Sequence, residues 1–175
     1  MNKEIQNQQQ QMMKLIDNHL LDEFLVIYRQ SLCSLQPFEQ IQILLHACRF
    51  GTSEFVHNIL NEKSSININC RHSSTGYTPL FTAIRAKRHD IIKYLIEKTE
   101  ADVNCNFTNN ANLEAITTCL HEALHQRDIS TVKLLLQYGA IVNERHLYMA
   151  INECFRQDSK VSVIFNEKSI IEYFC

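Results

Sequence analysis

The chain predicts an all-α solenoid of stacked helix–turn–helix units with short hairpin-like loops. Three observations carry that prediction. Gly76-Tyr77-Thr78-Pro79-Leu80-Phe81-Thr82-Ala83 joins turn chemistry to a helix start, and Asp90-Ile91-Ile92-Lys93-Tyr94-Leu95-Ile96 is a second apolar-periodic segment close behind it. Neither segment is long enough to hold a helix alone in water. The pattern then recurs, as it must if each pair is to bury its apolar face on a neighbour.

Within the unit, Pro79 suits a first helical turn, where its missing N–H costs nothing, and Thr78 is placed as the N-cap. A second copy opens at Thr118-Cys119-Leu120-His121-Glu122-Ala123-Leu124 and closes through Thr131 to Asn143. A third lies upstream, in Leu44-Leu45-His46-Ala47-Cys48, Gly51-Thr52-Ser53-Glu54-Phe55-Val56 and Ile66-Asn67-Ile68-Asn69. The closing residues Asn69, Asn104 and Asn143 lie 35 and 39 apart, and the small residues Ala47, Ala83 and Ala123 lie 36 and 40 apart. That is a unit of about 33 residues with short insertions.

These residues resemble the ankyrin repeat family, whose Thr-Pro-Leu-His-x-Ala opening and Gly-Ala-Asp-Val-Asn close are matched in pieces by all three copies. The resemblance covers about residues 40–143. It departs at Phe81, where His is usual, at Cys119, where Pro is usual, and in the first copy, which has no Thr-Pro.

In chain order, residues 1–11 read as a disordered polar leader. Residues 12–36 read as a degenerate N-terminal repeat, broken near Asn18 and covering the end of the stack. Pro37 opens the next element. The repeats run over 38–70, where Gly51 is expected to allow the helix–helix turn, then 71–105 and 114–144. Asn106 to Asn112 is a polar insertion expected to project as an extended loop. Residues 146–175 read as a degenerate last repeat. Val161, Val163, Ile164 and Phe165 belong to its outer helix, and the apolar end, Ser169 to Cys175, is taken as a cap in preference to the start of further repeats.

Composition narrows the function. A net charge of −2 argues against a dedicated nucleic-acid binder. No run approaches a membrane-spanning length, and Met1 to Gln11 lacks the apolar stretch of a secretory signal. Seven scattered cysteines form no disulfide framework; Cys48, Cys105, Cys119 and Cys154 read as small buried hydrophobes of a reducing compartment. The expected setting is the cytoplasm, the nucleus also, or the cytosol of a host if the chain is an effector.

His121-Glu122-Ala123-Leu124-His125 matches His-Glu-x-x-His, which on a helix places two His on one face for zinc with Glu as base. The resemblance implies another role, because His121 falls at the His of the ankyrin opening, a residue that hydrogen-bonds the neighbouring turn. No motif supplies a third ligand, so a zinc hydrolase is the remote alternative. There is no Cys-x-x-Cys and no Gly-rich phosphate loop; no cofactor is expected.

A basic cluster, Arg71, His72, Arg85, Lys87, Arg88, His89 and Lys93, reads first as a solvated surface; its functional reading is an acidic patch or peptide on a partner. The resemblance implies a concave binding surface of hairpin tips and exposed inner-helix residues. Carried onto this chain, that surface takes Arg49 and Phe50, then Ser74, Tyr77, Arg85 and Ala86, then Thr117, His125 and Gln126, and Asn152 and Glu153 beyond. Tyr77 and Phe50 are the aromatic anchor candidates.

The expectation is a non-enzymatic, monomeric module that binds another protein as a regulator, inhibitor or effector. The size is compatible with small ankyrin proteins that resemble the inhibitory subunit of the Rel transcription factors. The alternative is the substrate-recognition adaptor of a ubiquitin ligase, although the residues after 146 contain no proline and the commonest ligase-docking box looks absent.

Overall fold

The computed structural model describes residues 3–62, 66–109 and 112–155, and the chain divides into two compact units, 1–101 and 102–175. The first unit contains α1 (Lys3–Asp17), α2 (Leu21–Ser31), α3 (Pro37–Phe50), α4 (Ser53–Asn61), α5 (Pro79–Arg85) and α6 (His89–Lys98). The second contains the antiparallel strands β1 (Asn106–Asn109) and β2 (Asn112–Thr118), then α7 (Cys119–His125), α8 (Ile129–Gln137) and α9 (Glu144–Phe155).

In the first unit the pairs α1–α2, α3–α4 and α5–α6 pack as hairpins, and α3 lies between α1 and α5. Ile43, Leu44 and Ala47 of α3 meet Leu80, Ala83 and Ile84 of α5 in a core where each is 0 or 1 % exposed. On the outer side Phe24 stacks on Tyr28 and meets Phe55 edge-on, both with ring centres 5.3 Å apart.

Helix starts follow the local chemistry. Thr78 Oγ1 accepts from the Phe81 N–H at 3.2 Å, and Thr118 Oγ1 accepts from the His121 N–H at 3.1 Å. Gln36 and Glu39 form a reciprocal capping box ahead of Pro37.

Helix ends repeat one device. The N–H groups of Leu20, Arg88 and Asp128 reach back to the carbonyls of Leu15, Ala83 and Ala123 at 2.9–3.0 Å. The residues just before them, His19, Lys87 and Arg127, sit in the left-handed region with φ of 57°, 55° and 57°. These are Schellman ends built without glycine. Gly51 holds the equivalent place after Ala47, yet its φ is −80°. Its need is space, because a Cβ there would lie 2.8 Å from the Ala47 carbonyl and 3.1 Å from Ile16 Cγ2. Gly51 thus allows the helix–helix turn by its missing side chain and not by a left-handed backbone.

The closing asparagines form rungs. Asn69 Nδ2 donates to the Glu100 carbonyl at 3.0 Å. In the second unit Asn104 donates to the Gly139 carbonyl at 3.1 Å and accepts from the Ile141 N–H at 2.8 Å. Asn69 and Asn104 thus each bond through the side-chain amide to the backbone that ends the following helix pair.

Two segments differ from expectation. Residues 3–11, expected as a disordered leader, are the first turns of α1. Glutamine is a good helix former, Met12, Leu15 and Ile16 are buried in continuation of the same face, and Gln9, itself buried, donates to Gln42. Of the insertion at 106–112, expected as an extended loop, residues 106–109 form β1 and Asn112 opens β2, with Asn106 paired to Thr118 and Phe107 to Thr117; residues 110 and 111 lie outside the described residues. Of the degenerate last repeat, α9 is described, while Val161, Val163, Ile164, Phe165 and the cap at 169–175 lie outside the described residues.

Three substitutions test this packing. Ala83→Leu should overpack the α3–α5 contact and lower stability by about 1–3 kcal/mol in urea unfolding. Gly51→Ala should cost a similar amount by steric conflict, about 1–3 kcal/mol. Lys87→Gly should be neutral or stabilising by up to about 1 kcal/mol, since it relieves a left-handed side chain.

Candidate functional site

Of the expected binding residues of the first unit, Arg49, Phe50, Tyr77, Arg85 and Ala86 come together where α3 and α5 lie side by side. Gln42, His46 and Arg49 follow one another at helical spacing on the exposed face of α3, and Thr82, Arg85 and Ala86 do so on α5. Between them lies a cleft of ≈ 320 Å³ whose lining includes Met13, Leu45, Phe50, His72, Thr75 and Tyr77. It continues into a second recess of ≈ 260 Å³ between Arg49, Tyr77, Thr82, Arg85 and Ala86.

Tyr77 is positioned by the turn before α5. The Gly76 N–H donates to the His72 carbonyl at 2.8 Å, the His72 N–H donates to the Tyr77 carbonyl at 3.0 Å, and Gly76 supplies the positive φ of 70° that closes the bend. The Tyr77 ring then packs on Phe81 at 5.0 Å. The Arg85 guanidinium lies over the Tyr77 ring at 5.1 Å and donates to its hydroxyl. Across the recess Arg49 lies over the Phe50 ring at 5.0 Å, and His46 also packs against Phe50, at 4.7 Å, while bonding Asp17 at 2.8 Å. Phe50 stays 42 % exposed. The arrangement is two guanidinium groups held by aromatic rings beside an accessible apolar surface. Such groups bind carboxylates in a forked geometry.

The remaining expected residues are placed differently. Ser74 is exposed in the turn, its Oγ 3.0 Å from His72 Nδ1. Lys87 is exposed at the end of α5. Arg88 pairs with Asp90 at 3.7 Å and Lys93 with Glu97 at 4.0 Å, so part of the basic cluster is neutralised locally. Thr117, His125 and Gln126 belong to the second unit: Thr117 is half-buried on β2, His125 is exposed at the end of α7, and Gln126 donates to Glu122 at 2.8 Å. Asn152 and Glu153 lie on α9, but their side chains are outside the described residues. Gln42, His46, Thr75 and Thr82 were not among the residues expected at the site, and His72 was expected only as part of the basic cluster. The i, i+4, i+7 run of 42, 46 and 49 was the available signal.

The His-Glu-x-x-His match lies on α7. Among the described residues no group of three or more His, Cys, Asp or Glu could hold a metal ion. His121 does not make the expected hydrogen bond either, since its Nδ1 is buried with no hydrogen-bond partner among the described residues. His146 takes that part instead. Its Nε2 lies 3.0 Å from Thr118 Oγ1, its Nδ1 accepts from the Asn143 N–H at 3.1 Å, and its own N–H donates to Asn143 Oδ1 at 3.0 Å. With Nδ1 occupied as an acceptor, the neutral ring carries its proton on Nε2 and donates to Thr118. Burial, then the neighbouring His121 and Arg145, lower the His146 pKa from 6.5 to about 4.

That shift sets a pH dependence. Between about pH 6.5 and about pH 4 the unfolded chain binds a proton that the folded His146 refuses, so stability falls as pH falls through that window and levels off below it. His121, lowered by burial and then by Arg145 and His125, acts in the same direction. An NMR titration should give His146 a midpoint near 4 with its Nε2–H tautomer retained above it. A midpoint near the ordinary histidine value would refute the buried cap.

Comparison with known proteins agrees with the architecture. A model of ankyrin repeats matches in three copies, over residues 12–107 and 44–146. The chain is 33 % identical over 103 residues to alpha-latrotoxin-Lg1a of Latrodectus geometricus, covering 59 % of this chain and 7 % of the toxin. A putative ankyrin repeat protein of Acanthamoeba polyphaga mimivirus is 31 % identical over 107 residues, covering 59 % of this chain and 13 % of that protein. Delta-latroinsectotoxin-Lt1a of Latrodectus tredecimguttatus is 28 % identical over 95 residues, covering 54 % and 7 %. The chain thus spans about a tenth of the length of the relatives it matches. Among the described residues no helix is long and apolar enough to cross a membrane. Repeated helix pairs, Schellman ends, asparagine rungs and the family match together identify the chain as a member of the ankyrin repeat family.

Proposed function

We propose that the chain is a non-enzymatic protein-interaction module whose α3–α5 cleft seats a partner segment carrying a carboxylate next to an apolar side chain. Ankyrin repeats generally mediate protein–protein interaction. One observation carries the finer reading, the facing of Arg49 and Arg85 across a recess walled by Tyr77 and Thr82. Arg85 is held on the Tyr77 ring and Arg49 on the Phe50 ring before any partner arrives. Pre-set side chains lose little rotamer freedom on binding. Phe50 and the neighbouring Leu45 and Met13 supply the apolar contact.

The partner-binding set is accordingly Arg49, Phe50, Tyr77 and Arg85. Ser74 and Lys87 sit nearby in sequence at the turn and the helix end, and Arg88 is engaged by Asp90. A regulatory, inhibitory or effector role would follow from the identity of the partner. The ligase-adaptor reading depended on residues after 146, of which 156–175 lie outside the described residues.

Selection of displayed peptides against the whole chain tests the proposal. Enriched peptides should combine Asp or Glu with a large apolar residue. Arg85→Glu or Arg49→Glu should weaken them at least tenfold, equivalent to about 1.4 kcal/mol, with the fold intact by circular dichroism. Equal binding by wild type and both variants would rule out this cleft.

A further inference from the structure

Two cysteines bracket the strand pair of the second unit. Cys105 immediately precedes β1, and Cys119 immediately follows β2 as the first residue of α7. Because Asn106 pairs with Thr118, the cysteines stand one step beyond the last rung, at the base of the hairpin. Their Sγ atoms are 3.2 Å apart, with Cys105 6 % exposed and Cys119 fully buried, and neither is in a disulfide. Separated by 14 positions, they gave no pairing signal in the sequence; the ladder register brings them together.

The geometry is close to that of a covalent bond. A disulfide needs Cα atoms about 4.4–6.8 Å apart and sulfurs about 2.05 Å apart. Closing the present contact therefore asks the sulfurs to approach by roughly 1 Å, within reach of side-chain rotation.

We propose that Cys105 and Cys119 are a reversible disulfide site that clamps the base of the β1–β2 hairpin on oxidation. The oxidant is a small-molecule disulfide such as oxidised glutathione. The Cys105 thiolate attacks one glutathione sulfur, forming a mixed disulfide and expelling a glutathione thiolate. The Cys119 thiolate then attacks the Cys105 sulfur, forming the intramolecular bond and expelling the second glutathione thiolate. The two protons released from the protein thiols are taken up by the leaving thiolates, and the two electrons leave as two molecules of reduced glutathione.

Cys105 reacts first because it keeps the residual exposure of the pair. The hydrogen bond to Cys105 and then burial raise the Cys119 thiol well above its ordinary value, so the second step waits for a transient opening of the hairpin base. Oxidation closes a ring over residues 105–119 and removes open states of the hairpin from the unfolded ensemble. The strand pair, and the Thr118 cap that follows it, become more firmly held.

The test uses the whole chain, equilibrated in reduced and in oxidised glutathione, blocked with N-ethylmaleimide and digested after Lys, Arg and Glu without reduction. The expected result in oxidised buffer is a linked pair of the peptides 101–114 and 115–122, reversed by reduced glutathione, with a thermal midpoint raised by several degrees. Cys105→Ala should lose both the linked pair and the shift. Recovery of both peptides unlinked in oxidised buffer, while exposed Cys33 is modified, would overturn the site. A linked pair without a rise in thermal midpoint would overturn the clamp. Because the mapping is done on the wild-type chain, a variant that fails to fold cannot obscure either outcome.

Discussion

Helices of seven residues, such as α5 and α7, carry too few internal hydrogen bonds to persist in water, so their existence depends on burying one face against a neighbour at close range. That constraint explains the buried alanines. Ala47 and Ala83 are fully buried, so a larger side chain at either would push α3 and α5 apart. It also explains the helix ends. Each inner helix must stop sharply enough for its partner to fold back, and the Schellman bonds do this even where His19, Lys87 and Arg127 must adopt a left-handed backbone. At Gly51 the demand is different. There a Cβ would meet the Ala47 carbonyl at 2.8 Å and crowd Ile16 of α1 at 3.1 Å.

The same close packing makes the candidate site. With α3 and α5 held together by their buried faces, their exposed faces present Arg49 and Arg85 on either side of a recess. The Gly76 turn brings Tyr77 back over Phe81, and Tyr77 in turn holds Arg85. Each cation is braced by a ring, so the positive charge is local and directed although the chain as a whole carries −2. In the second unit the capping role passes to His146, which ties Asn143 and Thr118 into one network.

Much of this was legible in the residues. Repeat spacing, the small positions and the closing asparagines are local or periodic features, and they identify helix pairs and rungs without any knowledge of packing. Other features depended on what lies across space. Residues 3–11 look polar enough to be disordered, but Gln9 reaches Gln42, which sequence proximity cannot show. His121 matches the family opening by position, yet His146 makes the hydrogen bond because α9 carries it to Thr118. The basic cluster reads as one patch along the chain, whereas Asp90 and Glu97 neutralise Arg88 and Lys93 locally. Cleft-lining residues such as His46 and Thr82 carry a visible helical spacing, but only the facing helix shows that the two rows border one cleft.

The central claim is that the α3–α5 cleft is the partner-binding face. Amide NMR of the isotopically labelled chain, titrated with a selected acidic–apolar peptide, tests it most directly. The account predicts shift changes concentrated at residues 42–50, 72–77 and 82–86, with the Arg49 and Arg85 side-chain resonances among them. Changes confined to α2, α4 and α6, with those segments silent, would contradict it.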